Sequence, residues 1–362
     1  PMFRLTEPAS ESAVLLPPPP ELLPPAMAPD FLWLVARERG RPLRLIGALQ
    51  NITDRKIAEE EKKTYETQEA AQRQRQELVK ATALANIQQQ MVDADQGVSQ
   101  TSIFQAQDVE AVGTKVLVAD GMNRVLIWTS LPVAAAQPAD LVLGQPDFTT
   151  ANVGTGPSQM RVPWGLWSDG ARVLARGGFL TSRIWSWTSF PAVNAAPAAA
   201  VLAGGVGANA SEFRSTGGVT SDGTRMVVAD PGNHRVLIWN TIPATTGQPA
   251  DIVLGQPDFA SVTAGTGAAR MSTPTGVAII DGALLVADAG NDRVLVFDPL
   301  PTASGAAAAQ VLGQSSTATA VLDQTPSDRT MNEPTDLAFD GRHLFVADRT
   351  NRRVLRYTLN LP

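Results

Sequence analysis

From about residue 101 onward the apolar positions fall in short runs, each bounded by Gly, Pro, Asp or Asn. Runs of that length between turn residues predict β-strands rather than helices. Four segments align without gaps in the strand core: Val116-Leu-Val-Ala-Asp120, Met226-Val-Val-Ala-Asp230, Leu284-Leu-Val-Ala-Asp288 and Leu344-Phe-Val-Ala-Asp348. Each is followed by a turn containing Asn and then by a second apolar run, Arg124-Val-Leu-Ile-Trp128 in the first copy. A first strand precedes each unit, as at Pro274–Ile279 and Pro334–Phe339. Asp-Gly pairs at 169–170, 222–223, 281–282 and 340–341 join it to the Val-Ala-Asp run, a strong hairpin signal. A last strand follows a Leu-Pro or Ile-Pro turn, at Ala139–Phe148, Ala250–Phe259 and Ala309–Gln314.

A degenerate copy, Arg172–Trp187, fills the long interval between the first and second clear copies. With Trp185 as its aromatic anchor, the anchors at 128, 185, 239, 297 and 357 are 57, 54, 58 and 60 residues apart. Four short antiparallel strands per unit, repeated at this period, predict an all-β chain folded as a β-propeller over 101–362. About five blades are counted, with a sixth left open. The last unit ends without its own outer strand, so closing the ring needs a strand from elsewhere, and the segment just before Ile103 is the nearest candidate.

The first hundred residues follow another pattern. Seven prolines between Pro17 and Pro29 predict an extended or disordered arm over 1–30. A hairpin is expected over 31–52, with strands Phe31–Ala36 and Leu43–Leu49 and a turn at Arg39–Pro42. From Asp54 to Gln96 there is no Gly or Pro, and Glu, Lys, Gln and Ala dominate. A long polar α-helix over 53–96 is therefore expected, a stalk or linker that needs a neighbour for stability. Self-association through this helix or the arm is the expected route to a homo-oligomer. These hundred residues carry 12 Lys/Arg and 14 Asp/Glu, against 17 and 21 in the remaining 262, which sets the main boundary near residue 100.

Two resemblances attach to these residues. The pattern Val-Ala-Asp-x-x-Asn-x-Arg-Val resembles the NHL repeat family over about residues 103–362, which implies a propeller but no single activity. The segment Arg41–Glu61, with Ile52-Thr-Asp-Arg-Lys56 at its centre, resembles the C-terminal end of PAS sensor domains over about 31–61. The part of a PAS domain that would form its ligand pocket has no counterpart here, so no ligand residue is carried over.

Charge and chemistry narrow the function. A net charge of −6 and a pI near 5.1 argue against nucleic acid as partner. No cysteine is present, so disulfides, thiol catalysis and cysteine zinc sites are excluded. No apolar stretch long enough for a transmembrane helix occurs, and Pro17–Pro20 interrupt the one run that could open a signal peptide. The expected location is cytoplasmic if the N-terminus is complete, and extracytoplasmic or in a virion if it is not.

The repeated polar residues, Asp120, Asn123, Arg124, Asp230, Asn233, Arg235, Asp288, Asn291, Arg293, Asp348, Asn351 and Arg353, are read as scaffold. A group used once per blade holds each turn and ion pair in place. The two histidines, His234 and His343, fall at different repeat positions and form no metal set, so no metal, cofactor or catalytic residue is expected. Function is expected where the pattern breaks, in the second blade. There Arg176 is read at the Asp position and Thr181 at the Arg position, and Trp164, Trp167 and Trp187 have no repeated counterpart. Trp164, Trp167, Arg176 and Trp187 are the candidate binding residues. The expected function is a non-enzymatic binding or display platform for a protein or glycan, linked by the helix to an assembly or sensor module. The alternatives are a structural or adhesive fibre or virion component, and a propeller lyase or lactonase, which lacks the His and carboxylate cluster such chemistry uses.

Overall fold

The computed structural model describes residues 15–16, 33–38, 41–44, 105–134, 137–178, 182–205, 207–321 and 325–358. The helix expected over 53–96 lies outside these residues. The chain divides into two units, 1–71 and 72–362. In the first, strands β1 (Leu15–Leu16), β2 (Trp33–Glu38) and β3 (Arg41–Arg44) form one antiparallel sheet in the order β1-β2-β3. The expected hairpin is present with a different register. Glu38 pairs with Arg41, so only two residues separate the strands, and the Pro-rich arm contributes a paired segment.

The second unit is an all-β propeller of five blades. Blade one holds β4 (Ala106–Val112), β5 (Lys115–Asp120), β6 (Arg124–Trp128) and β7 (Leu141–Leu143). Blade two holds β8 (Pro163–Ser168), β9 (Val173–Gly177), β10 (Arg183–Trp187) and β11 (Ala200–Ala203). Blade three holds β12 (Val219–Ser221), β13 (Met226–Asp230), β14 (Arg235–Trp239) and β15 (Ile252–Leu254). Blade four holds β16 (Pro274–Ile280), β17 (Ala283–Asp288), β18 (Arg293–Phe297) and β19 (Gln310–Leu312). Blade five is described with three strands, β20 (Pro334–Phe339), β21 (His343–Asp348) and β22 (Arg353–Thr358).

Strands follow sequence order within every blade, and first strands of successive blades touch from β4 through β8, β12 and β16 to β20. The first strands therefore line the axis and the last strands form the rim. The two middle strands are apolar on both faces because each blade is sandwiched between neighbours: all five residues of β6, β14 and β18 are buried. Mixed clusters fill the gaps. Leu117, Ile127 and Val125 of blade one meet Leu166, Val173 and Trp187 of blade two, and Val227 and Ile238 of blade three meet Leu284 and Phe297 of blade four.

The repeated Asp and Arg form an ion pair inside each blade that keeps both, fully buried in blades one, three and four and buried on the Asp side in blade five. Arg Nε lies 2.7 Å from Asp120, 2.9 Å from Asp230, 2.8 Å from Asp288 and 2.6 Å from Asp348. Asn233, Asn291 and Asn351 donate to the same carboxylates. Asn123 does not belong with them. The turn in blade one is one residue shorter, so Asn123 takes the left-handed position (φ 60°) that His234, Asp292 and Arg352 occupy elsewhere.

That left-handed residue ties one blade to the next. Asn123 Oδ1 accepts the Val162 N–H at 3.0 Å, His234 Nδ1 accepts the Thr273 N–H at 3.0 Å, and Asp292 Oδ1 accepts the Glu333 N–H at 2.8 Å. Only a neutral imidazole can accept at Nδ1. Burial lowers the His234 pKa below 6.5, Asp230 opposes the shift, and the Arg214 charge reinforces it. With the folded pKa depressed, this contribution to stability is complete above pH 6.5. It declines as acid protonates the unfolded chain first. Because the ring is partly solvated, the expected loss between pH 7 and pH 5 is modest, about 0.5–1 kcal/mol. His234→Asn keeps an acceptor, as blade one does, so its denaturant midpoint should fall less than wild type over this interval. Parallel curves for the two proteins would refute the assignment.

Candidate functional site at the axis of blade two

Strand register corrects the alignment of the degenerate blade. Trp187 pairs with Val173 as Trp128 pairs with Val116, and Phe297 pairs with Leu284 at the same place. The indole bonds agree: Nε1 of Trp128, Trp187 and Trp239 each donates to the carbonyl nine residues ahead, at 3.0, 2.9 and 3.0 Å. Trp187, not Trp185, is thus the anchor of blade two, and it is buried. The Asp position is filled by Gly177 and the Arg position by Arg183, not by Arg176 and Thr181. Five residues separate Gly177 from Arg183, against three or four between the matching positions of the other blades, and that extra spacing hid the register.

Arg176 instead occupies the place of Ala119, Ala229 and Ala287. Across the sheet it faces Gly165, and a Cβ on Gly165 would collide with the guanidinium chain. The missing side chain at Gly165 leaves the passage that Arg176 takes toward the axis. The positions matching Gly165 on the other first strands are Asp108, Gly218, Gly276 and Asp336. One level of the axis thus carries Asp, Gly, Gly, Gly and Asp, with Arg176 reaching in from the second strand of blade two.

These three charges sense one another. Burial raises the Asp108 carboxyl above its ordinary value, two backbone N–H groups pull it back, Asp336 repels it and Arg176 attracts it. Both Asp108 oxygens are engaged, Oδ1 by Val109 N–H at 2.8 Å and Oδ2 by Leu166 N–H at 2.7 Å, so Asp108 bridges blades one and two. Burial also raises Asp336, which accepts Leu337 N–H at 2.9 Å through Oδ1 and is drawn down by Arg176. Asp336 is nevertheless open to the axial space, so protein on most sides withholds bulk water without sealing the group. Arg176 is depressed by burial and held up by Asp108 and Asp336. Among the described residues its guanidinium makes one long bond, Nη1 to the Thr216 carbonyl at 3.4 Å, and no ion pair within 4.0 Å. A fork of five donors with so few acceptors is ready to receive a planar anionic group.

The tryptophans expected here separate. Trp164 immediately precedes Gly165, is 39% exposed, and lies beside Gly178. Trp167 is half-buried against the cluster shared by blades two and three. Trp187 is core. Of the four candidates, Arg176 and Trp164 share one end of β8 and β9 near the axis, and the other two do not join them. Asp108 and Asp336 were not among the candidates. Their signal was present in the contrast between Pro274-Thr-Gly276 and Pro334-Thr-Asp336. Among the described residues no three His, Asp or Glu side chains are grouped to hold a metal ion. No described helix is long and apolar enough to cross a membrane.

No protein-family model matches the chain, and no curated protein matches it. Among solved structures the chain is similar to a computationally designed protein, Ika4, at 14% identity, over 54% of this chain and 89% of the other, with a TM-score of 0.32. A likeness at that level says nothing about the site.

Proposed function

We propose that the protein is a non-enzymatic binding platform, an NHL-like propeller that recognises a protein or glycan partner at the axial mouth of blade two. The observation that carries this reading is Arg176. The repeated arginines of blades one, three and four are sealed and spent on their own Asp and on loop carbonyls, whereas Arg176 replaces a small repeat residue, passes over a glycine and, among the described residues, bonds only the Thr216 carbonyl. A carboxylate on the partner would take the guanidinium fork. Asp336 offers an acceptor at the same level, and Trp164 a flat apolar face for a sugar ring or an apolar side chain.

Titration calorimetry with an oligogalacturonate and with a poly-glutamate peptide separates the two partner classes. Arg176→Ala should weaken whichever binds by at least about tenfold, the scale of one charge-assisted bond, at unchanged unfolding midpoint. Gly165→Ala keeps the charge and displaces it, and should weaken binding in the same direction. Equal affinity for wild type and Arg176→Ala would end this reading.

A further inference from the structure

Blade two carries positive charge that its own sequence does not answer. Between Pro163 and Ala203 the only carboxylate is Asp169, which is paired with Arg172 at the Asp-Gly turn, 2.7 Å away. Arg183 stands at the repeated arginine position, and Gly177 replaces the carboxylate that Arg124, Arg235, Arg293 and Arg353 bond in their blades. The chain entering the first strand adds to the excess. Four residues before the axial position, blades four and five have Ser272 and Asn332, whereas blades two and three have Arg161 and Arg214. With Arg176, four arginines thus gather in one sector of the mouth of a chain whose net charge is −6.

Hydrogen bonds hold the segments that carry these charges side by side. On one side of the end of β9 the Gly178 N–H donates to the Val162 carbonyl at 3.0 Å, and on the other Thr216 Oγ1 donates to the Gly177 carbonyl at 2.7 Å. Ser182 Oγ donates to the Arg214 carbonyl at 3.1 Å. Arg161, next to Val162, and Arg214, two residues before Thr216, therefore flank the end of the strand that carries Arg176. Arg214 is exposed, and Arg161 and Arg183 are half-buried. Among the described residues the guanidiniums of Arg183 and Arg214 make no hydrogen bond or ion pair. The acids of the adjoining segment are engaged elsewhere. Asp230 is held by Arg235 and Asn233, and Glu212 accepts from Asn209 Nδ2 at 2.8 Å. Phe179, Leu180 and Thr181, between Gly178 and Ser182, bring no charge. Trp164 adds an apolar face to the same sector. It stands where the other first strands have Gln107, Gly217, Thr275 and Thr335, and a Cβ on Gly178 would meet its ring at 3.1 Å.

We infer that the ligand of this mouth is an acidic polysaccharide of the uronate type, laid across the end of β9 from Arg161 over Arg176 to Arg214. The inference rests on the binding reading above and names the ligand of the same site. A single carboxylate would satisfy Arg176 and leave the flanking guanidiniums unanswered. A polymer with one carboxylate on every ring answers charges spread over successive segments, and each guanidinium offers it a planar fork of donors. Trp164 selects sugar over acidic peptide. A pyranose ring has an apolar face that covers an indole, whereas a glutamate side chain has no flat face to place there. Arg183, without its Asp, strengthens the positive field at short range, and added salt weakens that field at this solvated surface.

The test uses the full chain, titrated calorimetrically with di-, tetra- and hexagalacturonate and with a poly-glutamate peptide of the same charge as the hexamer. Affinity should rise with uronate length and exceed that for the peptide. Arg214→Gln should weaken the hexamer by about threefold or more, the scale of one charge-assisted contact at a solvated surface, and the dimer less, at an unchanged unfolding midpoint. Trp164→Ala should weaken the hexamer and leave the peptide as it was. Affinity that is flat with length, or a peptide that binds as tightly as the hexamer, overturns the uronate assignment. If that binding still depends on Arg176, the platform reading stands. Binding that survives Arg176→Ala overturns both, and so does the absence of binding by every probe.

Discussion

Arg293→Ala is expected to be among the most destabilising single changes in the molecule, costing about 3–5 kcal/mol, because it strands a buried carboxylate. Arg293 is fully buried. Its Nε bonds Asp288 at 2.8 Å, Nη1 reaches Thr317 at 2.6 Å, and Nη2 reaches Arg270 at 2.9 Å and Gly267 at 3.1 Å. One side chain thus fastens the middle strands of blade four to the loop after its rim strand and to the loop before its first strand. Removing it leaves Asp288 buried with only Ser272 N–H and Asn291 as donors among the described residues and frees the carbonyls of Gly267, Arg270, Thr317 and Thr319. Burial already pushes the Asp288 carboxyl up to about 6 while Arg293 holds it down, so loss of the arginine drives that residue toward its neutral form. Arg353→Ala should cost less than half as much, about 1–2 kcal/mol, because Arg353 is partly solvated and makes fewer bonds. Urea titrations of both variants check the difference. Equal losses, or a loss below about 1 kcal/mol for Arg293→Ala, would remove the pair from the scaffold.

The scaffold was legible in the sequence because it repeats. Four copies of the Val-Ala-Asp strand and four Asp-Gly turns set out the blade plan, and the structure places the former as the second strand of blades one, three, four and five and the latter as the first hairpin turn of blades two to five. Gly170, Gly223, Gly282 and Gly341 adopt the positive φ that such turns require. What was not legible depended on turn length. Between Asp120 and Arg124 lie three residues, between Asp230 and Arg235 four, and between Gly177 and Arg183 five. An ungapped alignment forces the slack into the strands. Blade two offers two tryptophans two residues apart, so either serves as the anchor by letter, and choosing Trp185 shifted Arg176 onto the Asp position. Asn123 was misread for the same reason: a turn shorter by one residue puts an identical letter at the position that clamps the next blade. The axial charges escaped because first strands were matched by their apolar letters, and a Gly-to-Asp difference between blades carries no weight until the five strands are seen in a ring.

The two tryptophans of blade two that sequence placed together should behave in opposite ways. Trp187→Ala is expected to cost about 3–5 kcal/mol, since it empties a buried indole volume between blades one and two. Its ring packs with Leu117, Ile127 and Val173, and its Nε1 bond to the Ala196 carbonyl fastens the loop that leads to β11. Trp187→Phe should recover most of that, losing about 1 kcal/mol for the missing bond, because blade four already uses Phe297 at the same position. Trp164→Ala should change stability by under about 1 kcal/mol, as the residue is 39% exposed. It should nevertheless weaken binding of the ligand proposed for Arg176, since the indole is an apolar surface beside the guanidinium's strand. Unfolding midpoints and calorimetric affinities for Trp187→Phe and Trp164→Ala decide the matter together. If Trp164→Ala bound as wild type and Trp187→Phe lost binding at intact stability, recognition would belong to the interface between blades one and two rather than to the axial mouth.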